Sequence, residues 1–151
     1  MPLQVGEPAP EFTLPSSSGD ELTLSSLRGK KVILYFYPKD STPGCTTQAC
    51  DFRDRAEAIE SAGAVVLGVS KDSLKSHGNF INKYDLNFPL LSDTDLEVHK
   101  AYDAYGEKMM YGKTRMGVIR TTVVVDEAGN VASYKRNVRA KGNAERTVAL
   151  L

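Results

Sequence analysis

The stretch Val32-Ile-Leu-Tyr-Phe-Tyr-Pro-Lys-Asp-Ser-Thr-Pro-Gly-Cys-Thr-Thr-Gln-Ala-Cys50 decides the reading of the fold. Its first six residues are continuously apolar or aromatic, as in a strand covered on both faces, and Pro38 ends the run. Pro43 lacks an N–H and suits the first position of a helix, which makes Thr42 the N-cap and places Cys45 in the first turn. From there Cys45, Ala49, Phe52, Ala56 and Ile59 recur by fours and threes on one helical face, with Ala62-Gly63 as the stop. A buried strand therefore feeds directly into an amphipathic helix.

Working outward, two more buried runs follow, Ala64 to Ser70 and Thr121 to Asp126. A second helix is predicted over Ser73 to Tyr84, with Leu74, Phe80, Ile81 and Tyr84 inward, then a short strand over Phe88 to Leu91. Thr94-x-x-Glu97 has the form of a capping box opening a third helix through Tyr102. The segment from Tyr105 to Gly117 shows no period and reads as a loop. Asp126-Glu-Ala-Gly-Asn130 is a hairpin turn leading to Val131 to Lys135, and Asn143 is placed to cap a short last helix. Near the start, Glu11 to Leu14 and Glu21 to Leu24 alternate around Ser16 to Asp20 as an extra N-terminal β-hairpin. Helices alternating with buried strands and a closing hairpin give an α/β sandwich of thioredoxin type with a mixed central sheet. The 151 residues suit one domain spanning 1–151.

Nineteen basic and nineteen acidic side chains cancel, so no charge excess draws the chain to nucleic acid or anionic lipid. The N-terminus has no basic segment followed by an apolar one, and no run is long enough to cross a bilayer, so a cytoplasmic location is expected. In a reducing compartment the two cysteines are poor candidates for a structural bridge.

Cys45 sits where backbone N–H groups lack intrahelical acceptors and the helix dipole favours an anion. Acidity alone does not make a fast nucleophile, because for thiols the gain in thiolate is largely returned as lost nucleophilicity. Donors that hold the reacting partner are also required, and Thr42 is placed to supply one. Cys50, five residues on, offers an oxidised Cys45 somewhere to go. On an ideal helix that spacing separates the Cα atoms by about 8.7 Å, beyond the ~7 Å limit for a disulfide, so the first two turns must unwind to form it. The plain alternative is a capped helix whose cysteine merely faces the core. A dithiol oxidoreductase would use Cys-x-x-Cys, and a zinc module would need closer ligand pairs than the two cysteines with His77 and His99, both expected on helix surfaces.

Pro38, Thr42 and Cys45 together form Pro-x-x-x-Thr-x-x-Cys, and the chain thereby resembles the peroxiredoxins. Cys50 at plus five is similar to the bacterioferritin comigratory protein, or Q-type, branch. Gly6-x-x-Ala-Pro-x-Phe12, Leu67 to Ser70, Leu91-Ser-Asp93 and Gly117-Val-Ile-Arg-Thr121 extend the likeness. The resemblance implies a peroxidatic Cys45, a resolving Cys50, Thr42 as a hydrogen-bond partner of sulfur and peroxide, Pro38 as a shield, and Arg120 as the active-site arginine. It further implies a hydroperoxide substrate, recycling by thioredoxin or a similar dithiol, no metal or cofactor, and a monomer. Without a Gly-Gly-Leu-Gly insertion or an extended C-terminal arm, the decameric type is not expected. A reading from another class keeps the same cysteine pair as a redox sensor, in which unwinding of the helix exposes a surface for a partner.

Overall fold

The computed structural model describes residues 3–110 and 112–151. Met1 and Pro2, and Tyr111 within the segment expected to be a loop, lie outside the described residues. Strands β1 (Thr13–Pro15) and β2 (Glu21–Thr23) form the expected N-terminal hairpin. The central sheet is built from β3 (Lys31–Phe36), β4 (Ala64–Ser70), β5 (Leu90–Ser92), β8 (Thr121–Val125) and β9 (Val131–Arg136), in the order β5-β4-β3-β8-β9. Pairing is parallel across β3, β4 and β5 and antiparallel across β3, β8 and β9. This is the mixed sheet of a thioredoxin-like sandwich.

The period of two along β3 divides the core. Val32, Leu34 and Phe36 point into one cluster with Phe12, Leu14 and Tyr102. Ile33, Tyr35 and Tyr37 point into the other, with Cys45, Ala49, Phe52, Phe80 and Ala144. The second cluster is covered by α1 (Pro43–Asp54), α2 (Ala56–Ser61), α3 (Leu74–Tyr84) and α5 (Asn143–Val148). Each fully buried aliphatic or aromatic side chain here contributes roughly 1.5–3 kcal/mol. Register then positions the site. Phe36 pairs with Thr121, so Arg120 enters the sheet beside the end of β3, where the chain turns towards α1.

Several expectations are corrected. The helix after β3 breaks at Arg55 (φ −107°, ψ 16°) and restarts as α2. On α3 the inward face is built on Phe80 and His77, while Leu74 is exposed. Neither histidine is a surface residue: His77 and His99 are both fully buried, each bonded to a carboxylate. No capping box opens α4 (Glu97–Ala101). Leu96 takes the cap position in the left-handed region, and Asp93 accepts from the N–H groups of Val98 and His99 at 3.3 and 2.8 Å. The segment expected to be a loop pairs as the hairpin β6 (Tyr105–Met110) and β7 (Lys113–Val118). Residues 113–116 are all exposed, so these strands carry no apolar alternation for a sequence pattern to show. Asn143 does not cap α5, since Gly142 occupies that position and Asn143 is buried. Among the described residues no helix is long and apolar enough to cross a membrane.

Candidate active site

The loop between β3 and α1 is fixed by buried polar groups. The Tyr37 hydroxyl donates to Asp40 Oδ1 at 2.6 Å, Ser76 Oγ donates to Asp40 Oδ2 at 2.8 Å, and His77 Nδ1 lies 2.7 Å from the same oxygen. The backbone N–H of Asp40 donates to Asp72 Oδ2 at 2.8 Å, which also receives the Ser70 hydroxyl at 2.7 Å. His77 Nε2 is 3.0 Å from the carbonyl of Leu91. The loop is thus tied to β4, α3 and β5. Because Asp40 is only 6 % exposed, loss of these partners would strand a buried carboxylate.

Thr42 has the extended backbone of an N-cap, but its hydroxyl donates to the Lys39 carbonyl at 2.8 Å instead of capping the helix. Thr46 N–H makes the first helical bond, to Thr42 O at 2.8 Å, so the N–H groups of Gly44 and Cys45 stand ahead of the ladder. Cys45 is 1 % exposed at the start of α1. Its sulfur accepts from Arg120 Nη2 at 3.4 Å, and Arg120 Nη1 donates to Gln48 Oε1 at 2.6 Å. Val138 N–H holds the Arg120 carbonyl at 2.9 Å. Gly44 leaves room for this approach, since a Cβ there would lie 3.3 Å from Arg120 Nη2. Cys50 is half-buried, and both cysteines are free. Pro38 is half-buried in the loop ahead of Thr42.

The geometry therefore places a buried cysteine sulfur at a helix start, under a guanidinium, behind a loop held by buried hydrogen bonds. A family model for the AhpC/TSA family matches residues 5–134. Peroxiredoxin Bcp of Bacillus subtilis is 40% identical over 151 residues, covering 100% of this chain and 96% of the relative. A structure of the Xanthomonas campestris bacterioferritin comigratory protein, described for its alkyl peroxide reduction activity, is 40% identical with a TM-score of 0.89 and coverages of 97% and 96%. A Xylella fastidiosa PrxQ mutant superposes with a TM-score of 0.91 at 35% identity, covering 99% of this chain and 95% of that one. The chain belongs to the AhpC/TSA family, as a peroxiredoxin of the Bcp/PrxQ type.

This peroxiredoxin is accordingly a peroxidase, an oxidoreductase that works through thiol chemistry. Of the residues singled out in the sequence, the structure brings Cys45 and Arg120 into contact and leaves Thr42 bonded to its own loop. Gln48 was missed. It lies three residues from Cys45 on the same helical face, fully buried, and a lone amide in an apolar stripe was the available signal. Asp40 and His77 were also missed, and their partnership spans 37 positions that no local pattern joins. The Tyr35 hydroxyl lies in the same core cluster, its pKa raised well above the phenol range by burial first and then by the charges of Cys45 and Asp40. Among the described residues that hydroxyl has no hydrogen-bond partner. Among the described residues, no three His, Cys, Asp or Glu side chains gather as metal ligands.

Proposed function

We propose that this peroxiredoxin reduces hydrogen peroxide and organic hydroperoxides with Cys45 as the attacking sulfur and Cys50 as its disulfide partner. The observation that carries the reading is the Arg120 guanidinium seated on the Cys45 sulfur at the N-terminus of α1. In the first step the thiolate attacks one peroxide oxygen. The S–O bond forms as the O–O bond breaks, and the departing oxygen leaves as water or alcohol after taking a proton. Arg120 stabilises charge on the sulfur and on the departing oxygen, and such preorganised donors contribute about 10²–10³ in rate. The Thr42 hydroxyl gives its proton to Lys39 O, so its lone pairs are open to accept the O–H of a bound peroxide. Pro38, on the same loop, shields the pocket.

In the second step the Cys50 sulfur attacks the Cys45 sulfenic acid, forming the disulfide and releasing water. The intact α1 with two free cysteines is the state expected before oxidation, and its first two turns must unwind for the sulfurs to meet. A dithiol reductant, thioredoxin or a similar protein, then restores both thiols by exchange. With this reading goes one domain over 1–151 acting as a monomer, as the family resemblance implies, in the cytoplasm, where a reducing partner for the thiols is at hand.

The test is a coupled assay in which thioredoxin and its reductase recycle the protein against hydrogen peroxide and cumene hydroperoxide in turn. Continuous turnover with both peroxides supports the reading. A single oxidation without recycling by any dithiol protein would favour the sensor instead.

A further inference from the structure

Gln48 lies within the two turns of α1 that must open for the disulfide. Both ends of its buried amide are engaged, Oε1 by Arg120 Nη1 at 2.6 Å and Nε2 with Asn143 Oδ1 at 2.8 Å. The same Asn143 oxygen accepts from the Thr122 hydroxyl at 2.9 Å. Thr122 is held in β8 between β3 and β9, paired with Tyr35 and Lys135. Asn143 is 3 % exposed, and its carbonyl receives the Thr147 hydroxyl at 2.7 Å. Its neighbour Ala144 is buried in the same cluster as Cys45 and Ala49. One amide oxygen on α5, a helix packed by Ala144 into the core beside Cys45 and Ala49, thus holds the Gln48 side chain of the helix that must move.

We propose that Asn143 is a positioning residue that latches α1 in its wound form and sets how fast an oxidised Cys45 meets Cys50. The proposal rests on the two-cysteine reading above. The step it governs is the second one, in which the Cys50 sulfur attacks the Cys45 sulfur, the S–O bond breaks, the S–S bond forms, and the hydroxyl leaves as water with the Cys50 proton. Gln48 cannot leave with the unwinding helix without breaking its bond to Asn143. A wound helix keeps Arg120 on the sulfur and serves the first step, whereas an unwound one serves the second. Latch strength therefore trades one step against the other. It also sets how long the sulfenic acid stays exposed to a second peroxide, which would carry it to sulfinic acid.

The experiment is rapid mixing of fully reduced protein with one equivalent of hydrogen peroxide, timed quenching and mass analysis, so that Cys45 oxidation and disulfide formation are read separately. In Asn143→Ala the ratio of the disulfide rate to the Cys45 oxidation rate should rise about fivefold, the equivalent of about 1 kcal/mol for one net hydrogen bond. Asn143→Asp, whose carboxylate accepts both bonds, should restore the wild-type ratio. Thr122→Val removes a bond to the same oxygen without touching α1, and should leave the ratio within about twofold. Hydrogen exchange on the reduced proteins should show amides 47–50 about fivefold less protected in Asn143→Ala. An unchanged ratio in Asn143→Ala, or an equal rise in Thr122→Val, overturns the latch and leaves the two-cysteine reading standing. A wild-type protein that forms no Cys45–Cys50 link overturns both. Should Asn143→Ala not fold, Gln48→Met cuts the latch at its other end, and there the disulfide rate itself must rise about fivefold, since this variant also frees Arg120 Nη1 and slows the first step.

Discussion

Arg120 Nη2 stands 3.4 Å from the Cys45 sulfur while Nη1 of the same guanidinium donates to Gln48 at 2.6 Å. Two acceptors one helical turn apart are served by one planar fork, a geometry that a lysine ammonium cannot reproduce. Arg120→Ala should slow oxidation of Cys45 by hydrogen peroxide by about 10²–10³, and Arg120→Lys should recover only part of that loss. Single-turnover kinetics on the reduced protein measure both, and full reactivity in the alanine variant would remove Arg120 from the mechanism.

Cys50→Ser should leave the first oxidation at its wild-type rate and stop at the Cys45 sulfenic acid. Mass analysis after one equivalent of peroxide should find a single added oxygen and no intramolecular link. With excess peroxide the variant should go on to sulfinic acid, because its internal thiol is gone. Wild-type turnover of this variant in the thioredoxin-coupled assay would show that Cys50 is not the partner, since Cys45 is then the one cysteine left in the chain.

How much of this was legible in the sequence follows from where the signals lie. β3, β4, β8 and the start of α1 were readable because they are continuous apolar runs or carry Pro43 at a helix start. The hairpin of β6 and β7 was not, because residues 113–116 of β7 all face solvent and leave no apolar alternation to read. Cys45 announced itself through its position after Thr42 and Pro43. Arg120 came only through the family signature, since sheet register and not local sequence brings it to the helix start. Gln48, Asn143, Asp40 and His77 are polar groups paired in the interior across long sequence separations, and a polar residue on a helix reads as solvent-facing until its partner is known.

Asp93 links β5 to α4. Burial pushes its carboxyl upward, but hydrogen bonds from the His99 side chain and from the N–H groups of His99 and Val98 outweigh burial and hold the pKa below the ordinary carboxylate value. A depressed folded-state value contributes stability that is present above about pH 4 and is lost as pH falls through that lower value. Asp93→Ala should therefore destabilise the protein by about 3 kcal/mol at neutral pH, since it leaves two backbone N–H groups and a buried imidazole without their acceptor. Urea unfolding at pH 7 and below pH 4 should show the gap between wild type and variant shrinking in acid.

Tyr35 is 1 % exposed, stacked on Phe52 at 4.9 Å between ring centroids, and its hydroxyl finds no partner among the described residues. Burying an unpaired hydroxyl costs more than burying the bare ring. Tyr35→Phe should stabilise the fold by about 1 kcal/mol, seen as a higher urea midpoint with an unchanged slope. A destabilised variant would mean that the hydroxyl is satisfied in solution.

The most direct test of the central claim is rapid mixing of the reduced protein with less than one equivalent of hydrogen peroxide, followed by thiol counting and mass analysis, with Cys45→Ser run beside it. The account predicts fast loss of two thiols per peroxide, a Cys45–Cys50 link, and an inert Cys45→Ser variant. Slow loss, or loss that persists in Cys45→Ser, would contradict it, because the sulfur under Arg120 would then not be the one that meets the peroxide.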